Sequence, residues 1–143
     1  MDISIELGEN KLNLRVTVLC ETPNGFLVEK FQDDFYFPIG GRIQIQDDSL
    51  MAAKREFLEE TGIDCPNLEY VGVLESFFYH ENLRFHEVNF VYRTLFSILP
   101  NLPNNILAIP IEKLLQQDLR PKKIKDIINK KYQTPFHFIL REL

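Results

Sequence analysis

Apolar and polar positions alternate along Leu12–Cys20, a stretch rich in Leu and Val, which predicts a β-strand. Thr22-Pro23-Asn24-Gly25 interrupts the pattern with turn residues, and Phe26–Lys30 reads as the returning strand. Gln32-Asp33-Asp34 is a second polar break, followed by Phe35-Tyr36-Phe37-Pro38 and Ile39-Gly40-Gly41; Arg42–Gln46 then alternates weakly around Ile43 and Ile45. The period changes after that. Leu50–Thr61 contains no Gly or Pro. Asp47-Asp48-Ser49 ahead of it supplies acceptors for the free N–H groups of a helix start, and Gly62 behind it is a helix stop. At 100° per residue, Leu50, Ala53, Phe57, Leu58 and Thr61 form one apolar face. Leu68–Tyr79 and Arg84–Leu99, separated by Glu81-Asn82, predict a hairpin or cross-strand pair. Pro100 to Asn105 reads as a loop and Ile109–Leu115 as a short helix with Pro110 near its first turn. Pro121–Lys131 reads as a basic helix with Ile124, Ile127 and Ile128 inward, and Pro135–Ile139 as a final strand. A mixed sheet with one central helix and one or two late ones is an α+β fold or an α/β/α sandwich.

The chain has 143 residues, 45% hydrophobic and 26% charged, which is ordinary usage for one domain spanning 1–143 with its own core. The net charge of −5 argues against a duplex nucleic-acid binder, which would neutralise phosphates with Lys and Arg. It leaves room for a small phosphorylated ligand if a divalent cation stands between protein and phosphate. No apolar run approaches the roughly 18–20 residues of a membrane-spanning helix. Met1-Asp2-Ile3-Ser4 lacks the basic and apolar parts of a signal peptide. Cys20 and Cys65 make neither a disulfide framework nor a zinc site. The expectation is a cytoplasmic protein with no membrane partner. With 12 Phe and 5 Tyr, some aromatics are expected to line a pocket as well as a core; Phe35, Tyr36, Phe77, Phe78 and Tyr79 are candidates to stack on a base, with core packing the default for each.

The chemistry concentrates between Gly40 and Ile63. Glu56, Glu59 and Glu60 lie at i, i+3 and i+4 of the predicted helix, beside its apolar face. Like charges at that spacing repel, so something should offset them. Mg²⁺ is commonly held by a few carboxylates with waters and substrate phosphates. Most Glu clusters on helices are simply solvated faces, but here Gly40-Gly41 precedes the helix by a short loop that can approach a ligand closely, Arg55 adjoins the first Glu, and Gly62 closes the segment.

Gly41-x5-Asp47-x7-Arg55-Glu56-Phe57-Leu58-Glu59-Glu60-Thr61-Gly62-Ile63 resembles the Nudix box, Gly-x5-Glu-x7-Arg-Glu-U-x-Glu-Glu-x-Gly-U with U apolar. Asp47 is the one departure, standing where the box has Glu. Phe37-Pro38-Ile39-Gly40-Gly41 resembles the family's aromatic-x-Pro-Gly-Gly lead-in, and the likeness extends over about residues 12–100. The resemblance implies a Nudix-type α/β/α sandwich and Mg²⁺-dependent (or Mn²⁺-dependent) hydrolysis of a pyrophosphate in a nucleoside diphosphate linked to another moiety. It implies metal ligation by Glu56, Glu59 and Glu60 with the Gly40 carbonyl, and catalytic roles for Glu59 and Glu60. Arg55 is expected to orient the carboxylates through an ion pair. The general base is a box Glu or a Glu in a later loop; Glu87 is the candidate outside the box and Glu75 the next, with a solvated strand-edge role equally open for both. Asp47 is expected to act behind the metal ligands or as a helix cap. The alternative to an enzyme is an inactive Nudix-like nucleotide sensor, for which only Asp47 leaves room. The substrate and the oligomeric state stay open, homodimers being frequent among relatives.

Overall fold

The computed structural model describes residues 1–32, 34–65, 67–129 and 135–142. Asp33 of the predicted polar break and Lys130-Lys131 of the predicted last helix lie outside the described residues.

Strand β2 (Asn10–Thr22) is the axis of a mixed sheet. Its β-branched and apolar residues, Val16, Val18, Leu19 and Cys20, are buried, as a strand covered on both faces requires. On one side it runs antiparallel to β4 (Phe35–Arg42), from Val18↔Ile39 to Arg15↔Arg42. On the other it runs parallel to β6 (Leu83–Leu95), from Asn10↔Arg84 to Glu21↔Leu95. With β3 (Gly25–Lys30), β5 (Glu69–His80), β7 (Ile106–Ile109) and β9 (Phe136–Glu142), the order is β7-β3-β4-β2-β6-β5-β9. Short β1 (Ser4–Leu7) pairs with the start of β2, and β8 (Asp118–Leu119) with the start of β4. The predicted hairpin is present as the long antiparallel β5–β6 pair.

One irregularity prepares the site. β3 accompanies β4 only from Tyr36 to Pro38 and otherwise pairs with β7 and with the end of β2. Beyond Pro38 the described strands leave one edge of β4 unpaired while the other edge stays bonded to β2.

Because side chains alternate across a strand, the sheet carries two cores. Helix α1 (Ser49–Thr61) seals one face: Ala52, Ala53 and Phe57 pack on Val16, Val18, Ile39 and Tyr92. Helices α2 (Ile111–Leu114) and α3 (Ile124–Asn129) close the other, where Leu114, Ile124, Ile127 and Ile128 meet Leu19, Leu74 and Val91. This is the expected α/β/α sandwich. No helix of the described residues is long and apolar enough to cross a membrane.

Several local expectations fail. Gly40-Gly41 belongs to β4 rather than to a loop, because the β2 ladder continues through them. Arg42–Gln46 forms no strand; after Arg42 the chain makes a single bridge, Asp2↔Gln44, and turns. β6 stops at Leu95, short of Leu99. β1, β7 and β8, of four, four and two residues, are too short to show a period. On α1, Leu50 and Leu58 are 38% and 47% exposed, and Ala52 is buried in their place.

Candidate active site

Local chemistry sets both ends of α1. Asp48 lies outside the helix in extended conformation, and its Oδ1 accepts the Met51 N–H at 2.8 Å. Gly62 ends the helix at φ 76°, a left-handed conformation that costs a residue without Cβ little, and donates its N–H to the Leu58 carbonyl at 2.8 Å. The inward stripe is Ala52, Ala53, Glu56, Phe57, Glu60 and Thr61: apolar residues are fully buried, and Glu56 and Glu60 are half-buried on the same side. Two carboxylates thus continue an apolar stripe toward the sheet.

Backbone space on β4 admits them. A Cβ at Gly41 would meet the Glu56 carboxylate, so a larger residue here displaces that side chain from its place. Arg55 holds that carboxylate from the helix side: Nη1 donates to Glu56 Oε1 at 2.9 Å, and Nη2 donates to the Arg42 carbonyl at 3.1 Å. The same guanidinium lies 3.8 Å from Glu59 and 3.6 Å, through Nε, from Asp47. That last separation is an ion pair but too long for a hydrogen bond, and Nε is buried without a hydrogen-bond partner among the described residues. Asp47 is therefore an Arg55 partner one methylene short of full contact, and the cap belongs to Asp48. Burial works against the Arg55 charge, but Glu56, Glu59 and Asp47 outweigh it and raise its pKa. Burial also raises the pKa of Glu56, against the pull of Arg55.

Glu60 is the more perturbed group. Burial pushes its carboxyl up to about 8, helped by the negative charges of Glu29 and Glu56 and opposed by the Gly40 backbone and Arg15. Its Oε2 is buried and has no hydrogen-bond partner among the described residues. An ionised carboxylate oxygen in that state is costly.

Gly40 also borders a cleft of about 220 Å³ on the face of the sheet away from α1. Its floor is β2 and β6: Asn13, Arg15, Thr17, Glu87 and Asn89; Phe37, Phe78 and Phe85 wall it. Asn13 donates from Nδ2 to Glu87 Oε2 at 2.8 Å, and Thr17 donates to Asn89 Oδ1 at 2.9 Å. A larger hollow of about 1300 Å³ lies at the opposite end of β2, near Glu21, Arg93 and Ile128; neither hollow is lined by Glu56, Glu59 or Glu60, and the smaller one is set apart by Gly40 and Glu87.

The structure therefore brings Glu56, Glu60, Gly40 and Arg55 together, with Glu87 across the adjoining cleft. It leaves Glu59 58% exposed. Glu75 sits elsewhere, its Oε2 accepting from His137 Nε2 at 2.7 Å. Of the aromatic candidates only Phe78 reaches the cleft; Phe77 stacks on His86 and Phe35 on Phe31. Glu29, Arg15, Phe85 and Asn89 are not among the expected site residues, and Phe37 entered only through the Gly-Gly lead-in. Each is one position of an ordinary alternating strand, and only the register reveals what it faces.

Among the described residues no three Asp, Glu, His or Cys side chains converge as a finished cation site. The donor chemistry nevertheless fits a hard cation: oxygen ligands only, one buried and unsatisfied, on a rigid helix beside glycine backbone.

The NUDIX domain model matches residues 11–128. This chain belongs to the NUDIX family. Membership makes it a hydrolase of acid anhydrides, a pyrophosphohydrolase, in a family that generally uses a divalent metal. Sequence comparison with curated proteins finds no match. Solved structures share the fold at low identity. A MutT protein from Bacillus halodurans superposes with a TM-score of 0.69 at 18% identity, over 89% of this chain and 90% of that one. The NUDIX domain of Shewanella oneidensis NrtR, solved with ADP ribose, gives 0.65 at 17% identity over 82% and 84%. The C. elegans Ap4A hydrolase gives 0.63 at 14% over 82% and 94%.

Proposed function

We propose that this NUDIX hydrolase cleaves the pyrophosphate of a nucleoside diphosphate linked to another moiety, with Mg²⁺ (or Mn²⁺) held by Glu56, Glu59, Glu60 and the Gly40 carbonyl. The observation that carries this reading is the buried, unpartnered Oε2 of Glu60 where α1 meets the bare edge of β4. A bound divalent cation supplies charge neutralisation at the phosphates and a more acidic water. The chain's own residues do the positioning. Arg55 fixes Glu56 and ties the helix to the Arg42 carbonyl, so the carboxylate is oriented before substrate arrives. Gly41 keeps the backbone close. Glu87, anchored by Asn13, faces the cleft and is our candidate to take a proton from the attacking water. Phe37, Phe78 and Phe85 offer stacking surface for a nucleobase. Glu59 reaches the cluster by rotating away from Arg55, to which it is held at 3.8 Å.

A panel of nucleoside diphosphate compounds with Mg²⁺, scored for released phosphate and nucleotide, tests the reading. Glu60→Gln and Glu59→Gln should each lose about 10²–10³ in turnover with the fold intact. Near-parent turnover in either variant at saturating Mg²⁺ removes that residue from the mechanism, and no hydrolysis across the panel by the parent overturns the activity.

A further inference from the structure

The floor of the cleft holds two arginines that the mechanism above leaves unused. Arg15 on β2 and Arg42 on β4 are direct cross-strand partners in the antiparallel ladder, and both line the cleft. Like charges placed opposite each other on neighbouring strands destabilise a sheet. Arg42 has partial compensation, with Asp2 Oδ2 3.9 Å from its Nη1 and both side chains well exposed. Arg15 has less. It is half-buried and, among the described residues, makes no side-chain hydrogen bond and no ion pair within 4 Å; its charge reaches Glu56 and Glu60 only at longer range. Asn89, its partner on β6, has Oδ1 occupied by the Thr17 hydroxyl and keeps its amide N–H₂ as a further donor.

Donors and positive charge are thus gathered around Arg15 and Arg42, with Glu87 of the same cleft held by the Asn13 amide, and Glu56 and Glu60 stand on the other side of Gly40. We propose that Arg15, assisted by Arg42, is an anion subsite that receives the phosphoryl group lying away from the carboxylate cluster. The inference rests on the pyrophosphohydrolase reading and adds to it a binding division: one phosphoryl group belongs to the carboxylate side, the next to the arginines. An anion between the two guanidinium groups turns their repulsion into a shared attraction. The planar fork of Arg15 suits two phosphate oxygens at once, which a point charge does not. Arg15 is half-buried, so solvent screens such a contact less than on an open surface.

The competing role is purely electrostatic, with Arg15 softening the repulsion between Glu56 and Glu60. Lysine at position 15 separates the two, because it keeps the charge and loses the fork. Binding of inorganic pyrophosphate to the parent, Arg15→Lys and Arg15→Gln is measured calorimetrically, with EDTA and again with Mg²⁺; thermal melts confirm that each variant is folded. The expected result is pyrophosphate binding by the parent, weakened about ten- to hundredfold in Arg15→Gln under both conditions and clearly weakened in Arg15→Lys. In turnover the same variants should raise KM more than they lower kcat. Full rescue by lysine, unchanged affinity in Arg15→Gln, or no pyrophosphate binding by the parent overturns the subsite. Glu60→Gln should keep the arginine-dependent pyrophosphate binding, so a parent that binds pyrophosphate but hydrolyses no substrate would refute the hydrolase reading and leave this one standing.

Discussion

Replacing Glu60 by Gln should make the metal-free protein more stable at alkaline pH. Burial beside Glu29 and Glu56 moves the Glu60 carboxyl from 4.5 to about 8. Fully transmitted, that displacement is worth on the order of 5 kcal/mol; Glu60 is half-buried and solvent screens part of it, so about 2–3 kcal/mol is the working figure. The sign follows from proton uptake. Between pH 4.5 and 8 the folded state keeps a proton on Glu60 that the unfolded state has released. The stabilisation is therefore complete below 4.5 and is lost as pH rises to about 8. Parent and Glu60→Gln should melt together near pH 5 in EDTA. At pH 8.5 the variant should melt roughly 5–10 °C higher, from the entropy of unfolding typical for this size. Comparing the two proteins cancels the other titrating groups. Added Mg²⁺ should reverse the order at pH 8.5, because only the parent has the carboxylate to offer. A variant that melts lower than the parent in EDTA at pH 8.5, or a difference that does not grow between pH 5 and 8.5, refutes the claim that Glu60 is strained by burial.

Gly41→Ala places a methyl group against the Glu56 carboxylate; it should weaken Mg²⁺-dependent turnover at least about tenfold, measured as kcat/KM, while a much smaller effect would mean that Glu56 moves freely. Phe57→Ala empties a fully buried position between α1 and the sheet and should cost about 3–5 kcal/mol by urea denaturation, whereas Leu58→Ala, 47% exposed, should cost less than about 1 kcal/mol. Asp48→Ala removes the acceptor of the Met51 N–H and should cost about 1 kcal/mol in the same assay, with Asp47→Ala affecting activity more than stability through Arg55.

Much of the fold was legible because long elements repeat a period. β2, β5, β6 and α1 each span twelve or thirteen residues, and alternation or helical spacing has room to show. The short strands β1, β7 and β8 take their identity from a neighbour's hydrogen-bonding edge, which no local pattern displays. The face of α1 was misjudged for a specific reason. Hydrophobicity favoured Leu50 and Leu58, but Ala52, Ala53 and Phe57 are the residues that meet the sheet, and the stripe then continues through Glu56 and Glu60 where β4 presents Gly40 and Gly41. The box spacing made Arg55, Glu56 and Glu60 readable as a group, since helix geometry alone sets Glu60 one turn beyond Glu56, with Arg55 adjoining. The opposite wall was not readable. Glu87 alone of that wall was singled out; Arg15, Arg42 and Asn89 join it from three strands, and their meeting depends on the β2–β4 and β2–β6 registers. Glu59 stands apart from its two neighbours, because the inward stripe of α1 takes in Glu56 and Glu60 and leaves Glu59 58% exposed.

The most direct test of the carboxylate site is Mn²⁺ binding followed by electron paramagnetic resonance on the parent, Glu56→Gln and Glu60→Gln at pH 8.5. The account predicts saturable binding by the parent and a loss of at least about tenfold in affinity for each variant. Unchanged Mn²⁺ affinity in both variants would contradict it.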